Sequence, residues 1–457
     1  MTAAGRTPAQ KPHVVIVGAG FGGLYAARAL AHTPVRVTLI DKNNYHLFQP
    51  MLYQVATGEL AADQIAAPIR AVLRDQRNTE VLMAEVTGVD TEKRLVQMGH
   101  RTLPYDYLVL ATGSHYNYFG HDEWQRHSPS LKSIADATHI RGKLLESFEA
   151  AERLVAEGDD DGNKIRDLLT FVLVGAGPTG VEMSGSVAEM SRALLPTYRH
   201  LRPDQVRIIL VDALPRILNS FPEDLAAHTQ TKIQTMGVEV KLGQKVQQVD
   251  EDGVTVQDKD GREERIRSRV VLWTAGVVGS SAGQWVNTPV DKDNRIKVNP
   301  DFSVPGHDNI FAIGDTASVV SRVRDIFGFP EEKERPLPGV AQPAMQGGQY
   351  VAQVIRRQVR GLPPPPPFRY WDKGDLAQVG KGFAVADLKV VRFWGLFAWL
   401  LWLGVHIFYL IGFANRLLVM IQWGATVLTA QRGVRDFTPE DAPPVPEVAA
   451  AGFPSGH

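Results

Sequence analysis

The chain has 457 residues, enough for about three domains with sizeable cores. Its charges nearly balance, 49 Lys and Arg against 50 Asp and Glu, which argues against a nucleic-acid partner. Cysteine is absent; that excludes disulfides, thiolate metal sites and redox-active cysteine pairs, so any redox chemistry must reside in a bound cofactor.

Met1 to Lys11 is polar and lacks the apolar run of a secretory signal, so export is not expected. His13 to Gly18 is short, apolar and β-branched, which predicts a buried parallel strand. It enters Gly18-Ala-Gly20-Phe-Gly-Gly23, and Leu24 to Ala31, rich in Ala and Leu, predicts a helix. Val35 to Ile40 predicts a second strand that ends on Asp41. Strand, glycine turn, helix, strand and an acid about 20 residues on form a dinucleotide fingerprint. Gly18 permits the tight turn, Gly20 lets backbone approach a pyrophosphate, and Gly23 lets helix and strand pack closely. The helix N-terminus suits phosphate, and Asp41 suits ribose hydroxyls. A tight turn without a ligand is the plainer alternative, and the surrounding unit favours the nucleotide.

Asn44 to Gly58 is aromatic and polar without a clear period, which suits a loop packed on a ligand. Val81 to Val89 and Arg94 to Met98 read as a small hairpin. Tyr105 to Leu110 predicts a strand running into Ala111-Thr112-Gly113-Ser114, small residues that admit a cofactor. Ile134 to Glu157 predicts a long helix, with a loop tip at Glu157 to Asp161.

The opening pattern then repeats. Leu169 to Val174 predicts a strand, Gly175-Ala-Gly177-Pro178-Thr179-Gly180 a glycine turn, and the stretch to Leu195 a helix bearing Glu182. Val206 to Val211 predicts the next strand, ending on Asp212, with extra turn material before it. An acid there favours NAD over NADP, because a carboxylate repels a 2′-phosphate. Glu182 reads either as a cofactor-side residue or as an acid paired with the helix dipole. Val238 to Leu242, Gln244 to Val249 and Val254 to Gln257 predict strands, with a hairpin turn at Asp252-Gly253. Val270 to Trp273 leads into Thr274-Ala275-Gly276, mirroring Leu108 to Gly113. Asn309 to Gly314 predicts a strand of the first unit, ending on Asp315 beside a polyol. The fold class is therefore α/β, with two Rossmann-like units, the second inserted in the first.

Pro363 to Pro367 is a stiff spacer. Tyr370 to Gly380 reads as one strand with glycine turns. Phe393 to Ala414 is apolar and long enough to reach across a hydrocarbon core. Gly395, Ala398, Trp402 and His406 share a stripe suited to packing on the protein. Leu417 to Leu428 is apolar but for Gln422 and Thr426, which with Thr429 form a narrow polar stripe. The flanking charges, Lys389, Arg392, Arg416, Arg432 and Arg435, are all basic. A buried helix pair, a membrane span and a hairpin lying on anionic lipid all fit, the last best.

Gly18 to Gly23, Ala111 to Gly113, Gly175 to Gly180 and Ala312 to Asp315 resemble the two-dinucleotide-binding-domain flavoproteins. Asn44-Tyr-His46 to Gly58, the run Val340-Ala341-Gln342-Pro-Ala-Met-Gln346 and the apolar C-terminus narrow this to a resemblance to type II NADH dehydrogenases, the single-subunit NADH:quinone oxidoreductases. The resemblance implies a non-proton-pumping enzyme that passes hydride from NADH to FAD and two electrons on to a membrane quinone, menaquinone or ubiquinone. It implies non-covalent FAD held by Gly18, Gly20, Phe21, Gly22, Gly23, Asp41, Lys42, Ala111, Thr112, Gly113, Asp315, Ala341 and Gln342. For NADH it implies Gly175, Gly177, Pro178, Thr179, Gly180, Glu182, Asp212, Ala275 and Gly276. Gln342, Gln346, Lys373 and Leu376 would meet the quinone, and Glu182, Gln342, Gln346 and Lys373 would serve catalysis; no metal is implied. As bare residues, two Gln on a helix suit solvent and Lys373 suits a surface.

The same resemblance implies monotopic attachment through residues 390–430 to the cytoplasmic face of the inner membrane, and the family is often dimeric. The expected domains are 12–168 with 291–360 for FAD, 169–290 for NADH, 361–436 for quinone and membrane, and a disordered tail at 437–457. Two other functions fit part of the pattern. A soluble NADH-dependent reductase with a ferredoxin-type acceptor would have no use for the apolar C-terminus. A non-catalytic NADH-sensing flavoprotein would not turn over.

Overall fold

The computed structural model describes residues 11–158, 161–429, 433–434 and 436–438. The tail from Pro439, and Arg432 and Arg435 of the basic flank, lie outside the described residues, as does the centre of the loop tip before Asp161.

Two parallel sheets organise the chain. In the first, His13–Val17 lies between Arg36–Asp41 and Tyr107–Leu110, with Thr79–Met83 beyond the former and Ile310–Ala312 beyond the latter. In the second, Thr170–Val174 lies between Arg207–Asp212 and Val270–Trp273, with Val238–Leu242 outside. Both central strands are buried at every position, as their unbroken apolar runs require. The two sheets share one order, third, second, first, fourth. Each also diverts through a three-stranded antiparallel sheet before its fourth strand, at Gly88–Pro104 and at Lys245–Arg267. The pairing of Ile310 with Leu108 returns the chain to the first sheet after the second is complete, so the second unit is an insertion.

Each glycine turn is closed by backbone contact. Gly18 and Gly175 adopt φ of +99° and +108°. A Cβ on Gly23 would lie 1.8 Å from the Gly18 carbonyl oxygen, and one on Gly180 would lie 1.8 Å from that of Gly175. Gly20 and Gly177 differ, since a Cβ on either would meet nothing within 4 Å.

The C-terminal part is a meander of Asp375–Gly380, Phe383–Asp387 and Arg392–Gly395, followed by helices Leu396–Tyr409 and Phe413–Thr429. It packs against the second unit: a Cβ on Gly185, in the helix Pro178–Leu194, would sit 2.3 Å from the Val379 carbonyl. Among the described residues no helix is long and apolar enough to cross a membrane. The apolar run from Phe393 is broken by Gly395 at φ +84° and Gly412 at φ +97°. Its first residues form a strand, leaving a helix of 14 residues.

Several expectations change. Thr79–Met83 is the parallel edge strand of the first sheet and not part of a hairpin; an edge strand alternates in burial, as a hairpin does. Asn44 to Gly58 is ordered structure, a short strand, a 3₁₀ turn and the helix Leu52–Ala56, the last buried at every residue. Tyr370 to Gly380 divides into two strands of different sheets, because Gly374 turns at φ +89°. The inward seam of the last helix is Val419 and Trp423, with Gln422 and Thr426 only half-buried beside it. The stripe on the preceding helix is as expected, with Ala398 and Trp402 fully buried.

Gly23→Ala and Gly180→Ala force a Cβ into a carbonyl and are expected to abolish cooperative folding. Gly20→Ala and Gly177→Ala are expected to melt within a few degrees of the parent. Thermal unfolding followed by circular dichroism separates the two classes.

Candidate active site

The first glycine turn is clamped by the acid at the end of the neighbouring strand. Asp41 Oδ2 accepts the Ala19 amide at 2.6 Å and its Oδ1 accepts the Asn43 amide at 2.7 Å. Burial raises the Asp41 carboxyl, while both amides draw it back towards the ionised form. The second turn repeats this: Asp212 accepts Ala176 at 2.5 Å and Leu214 at 2.8 Å. Both acids thus stiffen the turn.

Across the first turn lies the small-residue end of the fourth strand. A Cβ on Gly18 would meet the Ala111 carbonyl oxygen at 2.2 Å. Thr112 Oγ1 shares hydrogen bonds with Ser280 at 2.5 Å and Thr316 at 3.2 Å, and Thr316 accepts the Gly113 amide at 2.9 Å. Asp315 Oδ2 accepts from Ser114 at 2.7 Å, and Lys132 donates to the same hydroxyl at 3.1 Å. Burial lowers the Lys132 ammonium and Asp315 opposes the shift. The second turn is backed in the same way by Thr274, which donates to Val174 and Gly175, and by the Ala275 backbone. Phe119 lies over Gly276. Phe21 packs edge-on to His46 and Phe48 at 5.1 and 5.8 Å. Lys42 is exposed beyond Asp41.

The helix Ala341–Val359 begins against the first turn, where Ala344 lies beside Gly22 and Gly314. Gln346 is engaged at both ends of its amide by Trp371: it donates to the carbonyl at 2.9 Å and accepts the amide at 3.0 Å. It pins a strand. Gln342 donates to the Gly374 carbonyl at 3.3 Å, and its Oε1 is buried with no protein partner among the described residues. His46 Nε2 is likewise buried and unpartnered, its Nδ1 being tied to the Ala19 carbonyl at 2.9 Å. Open space over Gly20 and orphaned polar atoms beside the turn are what a bound dinucleotide would satisfy, so the residues present fit FAD.

Glu182 is half-buried, and desolvation pushes its carboxyl up to about 8 against the opposing hydrogen bond from the Gln378 amide. That amide donates to Oε1 at 3.3 Å. The Gln378 side chain accepts from Tyr53 Oη at 3.0 Å, Gln54 donates to Tyr53 at 3.3 Å, and Trp423 donates to Gln54 at 3.1 Å. The strand Asp375–Gly380 therefore joins Glu182 at one end to the Gln342–Gly374 contact at the other, with half-buried Leu376 between. Lys373, at the turn before it, donates to Tyr409 Oη at 2.7 Å and sits 4.6 Å from the centre of the Trp371 ring.

The structure thus brings Gln342, Gln346, Lys373 and Leu376 to one junction and Glu182 to its far side. Sequence reasoning had Ser114 in the small-residue turn but missed Lys132 and Thr316 around Asp315, and the roles of Tyr53, Gln54 and Gln378 around Glu182. None has a local motif; the nearest signal was the aromatic, glycine-ended segment that carries Tyr53 and Gln54.

A family profile described as pyridine nucleotide-disulphide oxidoreductase matches residues 12–348. The type II NADH:quinone oxidoreductase Ndh of Mycobacterium tuberculosis is 41% identical over 446 residues, covering 95% of this chain and 92% of the relative. The counterpart from Staphylococcus aureus is 30% identical over 371 residues, covering 80% of this chain and 87% of the relative. The solved NDH2 of Plasmodium falciparum superposes with a TM-score of 0.81 at 21% identity, covering 93% of this chain and all of the other, a likeness of fold. The chain belongs to the pyridine nucleotide-disulphide oxidoreductases and, within them, to the type II NADH:quinone oxidoreductases.

Proposed function

We propose that this chain performs NADH:quinone oxidoreduction by placing two nucleotide cradles on either side of the strand Asp375–Gly380, against the surface of a membrane. The contacts of that strand with Glu182, through Gln378, and of the turn that opens it with Gln342, through Gly374, carry the reading. Bound FAD supplies the two-electron relay between NADH and quinone. The chain positions the partners and manages protons.

In the first unit, Gly18 to Gly23 and the adjacent helix N-terminus receive the pyrophosphate, with Phe21 and Lys42 at the rim. Asp41 holds the ribose end, and Asp315 with Ser114 holds the polyol. Ala111 to Gly113 and Ala341 line the approach to the ring. Gln342 Oε1, buried and unpartnered, would accept a hydrogen bond from the bound flavin. In the second unit, Gly175 to Gly180, with Pro178 and Thr179 opening the helix, take the pyrophosphate of NADH. Asp212 takes the ribose and disfavours a 2′-phosphate, and Ala275 and Gly276, with the Phe119 ring over Gly276, border the nicotinamide end. Holding the two rings in register makes the transfer effectively intramolecular.

Desolvation biases the Glu182 carboxyl toward its neutral form near pH 7. Its Oε1 is occupied by the Gln378 amide, which leaves Oε2 to carry the proton. Lys373 and Leu376 face the quinone approach, Lys373 steadied by Tyr409. Gln346 acts on that approach by holding Trp371.

The two C-terminal helices are the membrane contact. Phe397 is 77% exposed, Phe408 68% and Phe413 83%, while Ala398, Trp402, Val419 and Trp423 face inward. An apolar face of that extent marks an interaction surface. From Lys389 to Thr429 the chain carries no acid, as contact with anionic lipid favours. At about 1.5 Å per residue the first helix is too short for a core of about 30 Å, so the pair lies in the interface. Quinone would then enter from lipid and NADH from the cytoplasm, as the reading of a protein on the cytoplasmic face of the inner membrane requires.

Two outcomes test these assignments. The native fold holds Glu182 protonated, and the unfolded chain releases that proton above about 4.5; stability is therefore lost as pH rises from there to about 8. Glu182→Gln removes this loss. Its melting temperature is expected to match the parent near pH 5 and exceed it near pH 9, and an equal difference at both would contradict the assignment. The double variant Phe397→Glu, Leu400→Glu is expected to leave the membrane fraction for the soluble one while retaining NADH-driven flavin reduction; unchanged pelleting would contradict the proposed membrane face.

A further inference from the structure

A cavity of ≈ 690 Å³ opens between the first nucleotide unit and the crest of the C-terminal helix pair. Tyr25, Arg28 and Lys373 stand on the side of the globular body, and Tyr409 and Arg416 on the side of the helices. Three cations line it and no acid does. The overall charge of the chain is −1, so this is a local concentration of positive charge.

The acids nearest in sequence are already committed elsewhere. Asp372 pairs with Arg335 at 2.7 Å, and Asp375 pairs with Lys389 at 2.6 Å. Lys373 is fixed by Tyr409 Oη at 2.7 Å. Arg416 donates to the Leu410 and Phe408 carbonyls at 2.7 and 2.8 Å, which holds its guanidinium at the end of the first helix. Arg28 is exposed, 6.0 Å from the centre of the Tyr25 ring. Fixed cations without a counter-charge are costly to bring together and favour an anion between them. Beside the cavity the surface is greasy, with Phe408 and Phe413 both exposed.

We propose that this cavity binds the phosphate of an anionic phospholipid, with Arg28, Lys373 and Arg416 around the headgroup and an acyl chain along Phe408 and Phe413. A free phosphate would have no use for the apolar rim, and a neutral quinone met by Lys373 would leave Arg28 and Arg416 without a counter-charge. The site would hold the helix crest to the globular body at the place where lipid meets protein, and it rests on the membrane reading above.

The test uses the full-length, flavin-loaded protein. Its melting temperature is titrated with dihexanoylphosphatidylglycerol, dihexanoylphosphatidylcholine and inorganic phosphate. A saturable rise is expected with phosphatidylglycerol alone. Arg28→Gln, with flavin absorbance and unliganded melting unchanged, should bind it roughly tenfold more weakly, the loss of one charge-assisted hydrogen bond. Arg28→Lys should retain most of the affinity. An equal response to phosphatidylcholine or to inorganic phosphate, or an unaltered response in Arg28→Gln, would overturn the proposal. Pelleting with pure phosphatidylcholine vesicles separates it from the membrane reading. If the protein pellets but shows no preference for phosphatidylglycerol, only the lipid site fails; if it pellets with vesicles of neither lipid, both fail.

Discussion

Everything in this molecule is hung on a contact that only glycine permits, the press of a helix start against the carbonyl of the turn before it. Gly23 lies on Gly18, and Gly180 lies on Gly175. That contact fixes the angle at which each helix leaves its strand, and with it the direction of the free N–H groups at the helix end. The acid of the next strand then grips the turn from the other side, through Ala19 and through Ala176. Gly20 and Gly177 face open space, which is where a pyrophosphate can approach. Two copies of one arrangement, in sheets of the same strand order, give the chain two nucleotide cradles from a single structural rule.

The C-terminal part turns two cradles into one site. It is no appended tail: Trp402 and Trp423 are buried in the same core as the helix Pro178–Leu194. The strand Asp375–Gly380 runs between the units and reaches both. His406, stacked on Trp402 at 3.8 Å, is pushed down to about 4 by burial and stays neutral, so the inner face of the helix pair carries no charge. The outer face is left apolar. Burial therefore sets both ends of the proposed route, a protonated carboxyl inside and a lipid-facing surface outside.

Most of the α/β plan was legible because parallel strands leave unbroken apolar runs and glycine turns leave a spacing. The strand from Ile310 could be assigned back to the first sheet for the same reason. Elements without such a signature were not legible. Thr79–Met83 has the alternation of any edge strand, and Leu52–Ala56 is too short to show a helical period. The breaks at Gly395 and Gly412 lie in a run whose hydropathy alone resembles a longer helix. Of the candidate site, the cradles were readable and the polar network was not. Tyr53, Gln378 and Glu182 meet only in three dimensions. Gln346 was picked out only by the family resemblance, and its role in holding Trp371 shows only in the fold.

The measurement that bears most directly on the account is an anaerobic stopped-flow record of the purified, flavin-loaded protein. Mixing with NADH should bleach the flavin absorbance in a single rapid phase, and a second mixing with a quinone should restore it with one quinone consumed per flavin. A protein that is colourless and takes up no flavin, or a bleached flavin that quinone does not reoxidise, would contradict it.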